Sequence, residues 1–406
     1  MLHLFFKLAK LWQEYLLYSL LLFTPLNFLQ KMNDKIDVLL ILTITSLFIS
    51  LFLAFFLITV KARHKISNYL FAVFLLITAV DFSGLLFDIV SQGPSNLGMF
   101  RNTFAFLQIP LFYLYVVSVC YSDFKLKPIY AFHLLPFLVV NAVLLPRFYL
   151  VNMASKINFI ANRQDKVELQ FTHIFFHIQI AVYLFAVFML LKKAKKLYLE
   201  NNSGGNLNSY NWLFQFTSVL SVLYVIVIFK NIFKFSDYPE ISEGIKIGLL
   251  TMQLFIICWY LYKALSHPAL FRNIDSKLKL AATLVSEERK IEPEILNQDL
   301  VKLKNYMSEK KPFLNPALTI QDVSKELEIP VRELSVLINH QLGQHFYDFV
   351  NSYRIESAMA ILEDDTKSKM TVLEILYEVG FNSKSSFNTA FKKHTGNTPT
   401  DYRKAL

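Results

Sequence analysis

Seven stretches of about twenty mostly apolar residues, at 36–60, 69–90, 100–121, 129–150, 171–191, 212–235 and 245–265, constrain this chain more than any other feature. A helix rises about 1.5 Å per residue, so each stretch is long enough to cross a hydrocarbon core roughly 30 Å thick. Composition points the same way. Of 406 residues, 54% are hydrophobic, 39 are Phe and only 10 are Gly. The mean hydropathy is +0.39. The expected front of the protein is therefore a seven-helix transmembrane bundle over residues 32–267.

Lysine and arginine favour the cytoplasmic ends of membrane spans, which orients the bundle. Lys61, Arg63 and Lys65 follow the first span, Lys125 and Lys127 the third, and Lys192, Lys193, Lys195 and Lys196 the fifth. The opposite loops carry only Lys156, Arg163 and Lys166, after the fourth span, and the segment 236–243 is acidic. The first span thus starts outside and the seventh ends inside. An odd number of spans delivers whatever follows residue 267 to the cytoplasm.

Residues 1–31 fit this scheme less well. The segment 15–29 is apolar but short, is interrupted by Pro25, and follows Lys7 and Lys10. No small-residue cleavage pattern follows it, as a removed signal would need. An interfacial half-span is another reading. The preferred one is an upstream extension, because Met32 opens MNDKIDVLL directly before the first span.

Ionisable residues within spans are costly and are therefore candidates for function. Asp81 and Asp88 stand seven apart on the second span, on one face of a continuous helix, and Arg101 opens the third. An Asp88–Arg101 pair would neutralise charge between neighbouring helices. These three are the candidate sensing residues, with structural ion pairing as the plainer reading. Lys230 and Lys234 lie in the outer half of the sixth span. His173 and His177 have a spacing that could hold a metal, but no third ligand accompanies them, so interhelical packing is the simpler account. Gln108, Asn141 and Gln253 suit interhelical hydrogen bonds. Cys120 and Cys258 lie within spans and make no disulfide framework. The sequence contains no phosphate-binding loop, nucleophile elbow or CxxC pair, and neither an enzyme nor a cofactor is expected.

The C-terminus is of another kind. Val372, Ile375, Leu376 and Val379 form one apolar helical stripe. Gly380 ends it, Phe381 fills the corner, and Asn382 or Ser383 can cap the next helix. Phe387, Ala390 and Phe391 turn inward, which puts Lys384, Ser385, Asn388 and Lys392 on the outer face. Amide and hydroxyl side chains flanked by lysines suit base edges and phosphates in a major groove. Gly396 closes this helix, and Thr398-Pro399 opens a last short one that ends at Tyr402 and Arg403. A weaker copy lies upstream: Ile320, Val323 and Leu327, a turn at Ile329-Pro330, then Leu334, Leu337 and Ile338 facing inward. Arg332, Ser335, Val336 and Asn339 are expected outward. Between the units, Phe346, Phe349, Val350, Tyr353, Ala358 and Leu362 mark one long connecting helix. It could set two reading helices one duplex turn apart, about 34 Å.

The runs FYDFVNSYRIESAMAIL and TVLEILYEVGFNSKSSFNTAFKKHTGNTPTDYR resemble the DNA-binding domain of AraC/XylS-family transcription regulators. The resemblance covers about 318–406. It implies a bihelical domain with two helix-turn-helix units, double-stranded DNA as partner, and Arg332, Ser335, Val336 and Asn339 in the first recognition helix. Lys384, Ser385, Asn388 and Thr389 would occupy the second. Val336 stands where the family usually has a polar side chain.

From Phe271 onward 19 Lys/Arg face 19 Asp/Glu, so the useful positive charge is local: Lys384, Lys392, Lys393, Arg403 and Lys404. Few phosphates can be neutralised, and modest non-specific affinity follows. The polar stretch 268–316 is the expected helical linker, with stripes at Leu300, Leu303 and Met307 and at Leu280, Leu284 and Ile291. These stripes could pair subunits into a homodimer or dock on the domain at 317–406. The chain as a whole is expected to be all-α, a seven-helix transmembrane bundle followed by a cytoplasmic bihelical domain, which makes it a one-component regulator in the inner membrane with an unknown ligand or membrane signal. The competing classes are a transporter or channel with a regulatory tail, and a membrane tether for DNA that senses nothing.

Overall fold

A computed structural model describes residues 34–60, 65–91, 93–121, 124–204, 208–234, 239–266 and 293–406. The segment 1–31, Met32, Lys61, Arg63 and the stripe at Leu280, Leu284 and Ile291 lie outside the described residues. Among those described there are helices and turns and no strand.

The first part contains α1 (Asp34–Thr59), α2 (Lys65–Phe82), α3 (Gly84–Val90), α4 (Asn96–Thr103), α5 (Ala105–Cys120), α6 (Leu135–Leu144), α7 (Met153–Ala161), α8 (Val167–Asn201), α9 (Asn208–Lys234) and α10 (Pro239–Ser266). Six rods are long and apolar enough to cross a membrane: Val38–Thr59, Lys65–Val90, Asn96–Cys120, Pro128–Tyr149, Val167–Asn201 and Tyr210–Phe233. The seventh, α10, has Gly244–Tyr260 as its described apolar stretch. The bundle closes on an aromatic centre. Phe71 stacks on Tyr260 at 4.0 Å, Trp212 stacks on Phe216 at 5.1 Å, and the Tyr115 and Tyr260 hydroxyls hydrogen-bond at 3.1 Å. Outward faces are also apolar: Phe55, Phe185 and Phe255 are 65%, 69% and 69% exposed.

The second expected span is not one straight helix. It breaks at Ser83, between α2 and α3, so Asp81 and Asp88 lie on separate segments and do not share a continuous helix face. Arg101 does not pair with Asp88. Its Nη1 donates to the Val80 and Asp81 carbonyls, each at 3.3 Å, and its Nη2 to Asn102 Oδ1 at 2.6 Å. The last carbonyls of a helix have no partner within it, and at a break inside an apolar bundle a guanidinium satisfies two of them. Other polar side chains join helices as expected: Asn141 Nδ2 donates to Thr103 Oγ1 at 3.0 Å, and Asn231 Nδ2 lies 3.1 Å from His177 Nε2.

The second part contains α11 (Pro293–Lys310), α12 (Ile320–Leu327), α13 (Val331–Val336), α14 (Phe346–Glu363), α15 (Val372–Glu378), α16 (Lys384–Thr395) and α17 (Pro399–Lys404). It has two cores. Leu303, Met307, Ile320, Val323, Leu334 and Ile338 pack with the first half of α14, and Ile375, Leu376, Val379, Phe387 and Phe391 with its second half. The 18-residue α14 therefore belongs to both units and fixes one against the other. Leu303 and Met307 are fully buried in the first core, so the α11 stripe docks on this domain.

Candidate DNA interface

The second unit is built by local signals. Thr371 caps α15 in a reciprocal box: its Oγ1 accepts from Glu374 N at 3.2 Å, and Glu374 Oε2 accepts from Thr371 N at 2.7 Å. That backbone donor holds the Glu374 carboxyl below its ordinary range. Gly380 takes the left-handed turn at φ 88°, and its neighbours Phe313 and Leu314 approach so closely that a Cβ would lie 2.5 Å from the Phe313 carbonyl oxygen. Phe381 then packs edge-on to Phe387 at 5.2 Å. Ser383 caps α16 by accepting from Ser386 N.

With Phe387 and Phe391 buried, α16 exposes Lys384, Ser385, Thr389, Lys392 and Lys393 and leaves Asn388 half-buried. Lys393 reaches back to Asp348 of α14 at 2.7 Å. Arg403 turns away from this face, donating Nη1 to the Met370 carbonyl at 2.7 Å, so it ties α17 to the start of α15.

The first unit differs. Its α12 is also capped by a box, Thr319 with Asp322, but the turn is made by Glu328 at φ 55° rather than by glycine. Arg332, Val336 and Asn339 are half-exposed. Ser335 does not point outward as the periodicity predicts: it is 2% exposed. Ordinary helical spacing accounts for this: Ser335 stands four residues after Val331 and three before buried Ile338, so it shares their inward face, and the chain passes into a π turn only after it, at Leu337–Gln341. Asn339 Nδ2 then donates to the Ser335 carbonyl at 2.9 Å and lies 3.2 Å from Ser335 Oγ.

Sequence reasoning missed what lies between the units. A cleft of about 340 Å³ is lined by Asn339, Gln344, His345, Ser352, Lys393 and His394, among others. Amides, imidazoles and an ammonium at one mouth can hydrogen-bond phosphate oxygens. No short motif could have revealed it, because its walls come from segments some fifty residues apart.

In the bundle, Asp81 is exposed at the helix break, with Arg101, Lys230 and Gln108 nearby. Asp88 is exposed near the C-terminal end of α3. The three candidate sensing residues therefore do not form one cluster. Among the described residues no group of three potential ligands could hold a metal ion.

Two helix pairs, each presenting a second helix with polar side chains and joined by a shared third, define a domain of two helix-turn-helix units. Residues 323–405 match a family model described as "Helix-turn-helix domain", and this C-terminal domain is of the AraC/XylS type. The melibiose operon regulatory protein of Escherichia coli K12 is 29% identical over 103 residues, 24% of this chain and 33% of that protein. The transcriptional regulatory protein YesN of Bacillus subtilis is 30% identical over 92 residues, 22% of this chain and 24% of that one. The Msm operon regulatory protein of Streptococcus mutans is 23% identical over 107 residues, covering 25% and 37%. The chain thus spans between about a quarter and two fifths of the length of these curated relatives. No solved structure matches.

Proposed function

We propose that this chain is a membrane-embedded one-component transcription regulator, which takes up a cue through its apolar bundle and binds specific DNA through both helix-turn-helix units. The observation that carries the reading is the presence, in one chain, of an AraC/XylS-type reader and six helices long and apolar enough to cross a membrane. A surface with Phe55, Phe185 and Phe255 largely exposed suits a lipid surround better than water. The lysine-rich ends of the first, third and fifth spans favour a cytoplasmic reader. Lys384, Ser385, Asn388, Thr389 and Lys392 would face the duplex from the second unit, and Arg332, Val336 and Asn339 from the first. Lys393 would join them on leaving Asp348. Ser335 and Arg403 act from within the domain, holding Asn339 and α17.

A cue can shift such a protein only by binding two of its states with different affinity. The Ser83 break, with Asp81 exposed beside Arg101, is where a polar ligand would have that leverage. Chromatin immunoprecipitation of the full chain tests the reading, with discrete enriched sites as the expected result. A fluorescent reporter fused after Leu406 should be active inside the cell. Absence of enriched sites, or activity only outside, rejects it.

A further inference from the structure

Of the 35 residues of α8, the last turns run past the apolar stretch and end against the DNA reader. There Asn202 forms an isolated antiparallel bridge with Thr319, the cap of α12. Ser203, 1% exposed, donates its N–H to the Leu318 carbonyl at 3.1 Å and its hydroxyl to the same oxygen at 2.6 Å. Gly204 passes so close to the Pro316 carbonyl that a Cβ there would lie 1.4 Å from that oxygen. No side chain fits at that position.

The reader meets this loop with one buried cation. Arg354 of α14 is 1% exposed. Its Nη1 donates to the Ser203 carbonyl at 2.9 Å, its Nη2 to the Asn315 carbonyl at 2.8 Å, and its Nε to the Phe313 carbonyl at 2.7 Å. The guanidinium also lies 5.4 Å from the ring centre of Phe381, in the turn of the second unit. A guanidinium offers five donors in a fixed fork, so it can hold three carbonyls that no ammonium could reach together. The segment 313–315 that it grips is also the one against which Gly380 packs. One side chain therefore touches the end of the bundle, the lead-in to the first unit and the turn of the second.

We infer that the Asn202–Gly204 loop is a clasp seated on the joint between the two helix-turn-helix units, through which the bundle sets their relative placement. Lys384, Ser385 and Lys392 stay exposed with the clasp in place, so it governs geometry rather than masking these side chains. This rests on the reading of the second part as a DNA binder only for its biological sense; the mechanical claim stands on the contacts.

The test uses the full chain in its membrane, with Cys258→Ser to remove the exposed native thiol. Opposed residues of an antiparallel bridge have Cα atoms about 4.5–5.5 Å apart, within the span of a disulfide. Asn202→Cys with Thr319→Cys should form the linked peptide on mild oxidation, and Gly204→Ala should slow the linkage at least tenfold. Ser203→Ala, which removes one hydroxyl without a clash, should slow it about threefold. Spin labels at Glu326→Cys and Glu378→Cys, one on each unit, should show a broadened distance distribution when Gly204→Ala is added. Failure of the cysteines to link, or equal rates with and without Gly204→Ala, disproves the clasp. An unchanged label distance disproves its control of the joint. Neither measurement involves DNA, so these failures are distinct from failure of the transcriptional reading.

Discussion

Gly380→Ala and Gly396→Ala ask the same question of the backbone and different questions of the packing. Both glycines are left-handed, at φ 88° and 81°. That conformation costs an L-residue about 1–2 kcal/mol, partly offset by about 0.4–1 kcal/mol from a less flexible unfolded chain. Around Gly396 a Cβ would meet nothing within 4 Å, whereas at Gly380 it would lie 2.5 Å from the Phe313 oxygen and 2.7 Å from the Leu314 oxygen. Phe313 cannot easily retreat, because its carbonyl accepts from buried Arg354. Overpacking of this kind adds about 1–3 kcal/mol. Gly396→Ala should therefore cost about 1 kcal/mol or less, and Gly380→Ala about 2–4 kcal/mol. Urea unfolding of residues 293–406, followed by far-ultraviolet circular dichroism, measures both, since this fragment contains both cores. Thermal melts of the same fragment should shift by a few degrees for Gly396→Ala and by more than about 10 °C for Gly380→Ala. Equal losses within about 0.5 kcal/mol would refute the interlock between the second turn and the 313–315 segment.

Three further outcomes are expected. Lys384→Ala and Asn388→Ala should each weaken binding to a selected duplex, by about 1–3 kcal/mol where the side chain reads a base edge, while Asp348→Asn, by releasing Lys393, should steepen the salt dependence by about one ion; titration at several salt concentrations separates the two. Glu374 has its carboxyl held low in the folded state, so the stability it contributes is present above the unfolded value and lost as pH falls through the folded one; acid titrations of the wild type and Glu374→Gln should diverge above the carboxylate range and converge below it, and parallel curves would contradict the capping box. Arg101→Met should lower the thermal stability of the detergent-solubilised chain by about 1–3 kcal/mol by orphaning the Asp81 carbonyl, since the Val80 carbonyl keeps the Ser83 hydroxyl at 2.6 Å, while Asp88→Asn should leave it unchanged; the reverse order would restore the Asp88–Arg101 pair.

Much of the second unit was legible in the sequence because its signals are local. The spacing of Val372, Ile375, Leu376 and Val379, the glycine at 380 and the inward Phe387 and Phe391 all act within a few residues of one another. The first unit was fainter because Glu328 makes its turn in a left-handed conformation that no composition rule marks, and because Ser335, though polar, lies on the inward face with Leu334 and Ile338. The cleft between the units was invisible.

What the sequence alone determined is the run of apolar lengths that demand long buried or lipid-facing helices, and the capped helix pairs of the reader, since helix length, periodicity and caps depend on near neighbours. Only the tertiary structure decided that Arg101 serves the carbonyls at a helix break rather than Asp88, and that Arg354 joins Phe313 and Ser203, 41 and 151 residues away. A buried cation takes whichever oxygens folding brings within reach, and the distance along the chain carries no trace of that choice.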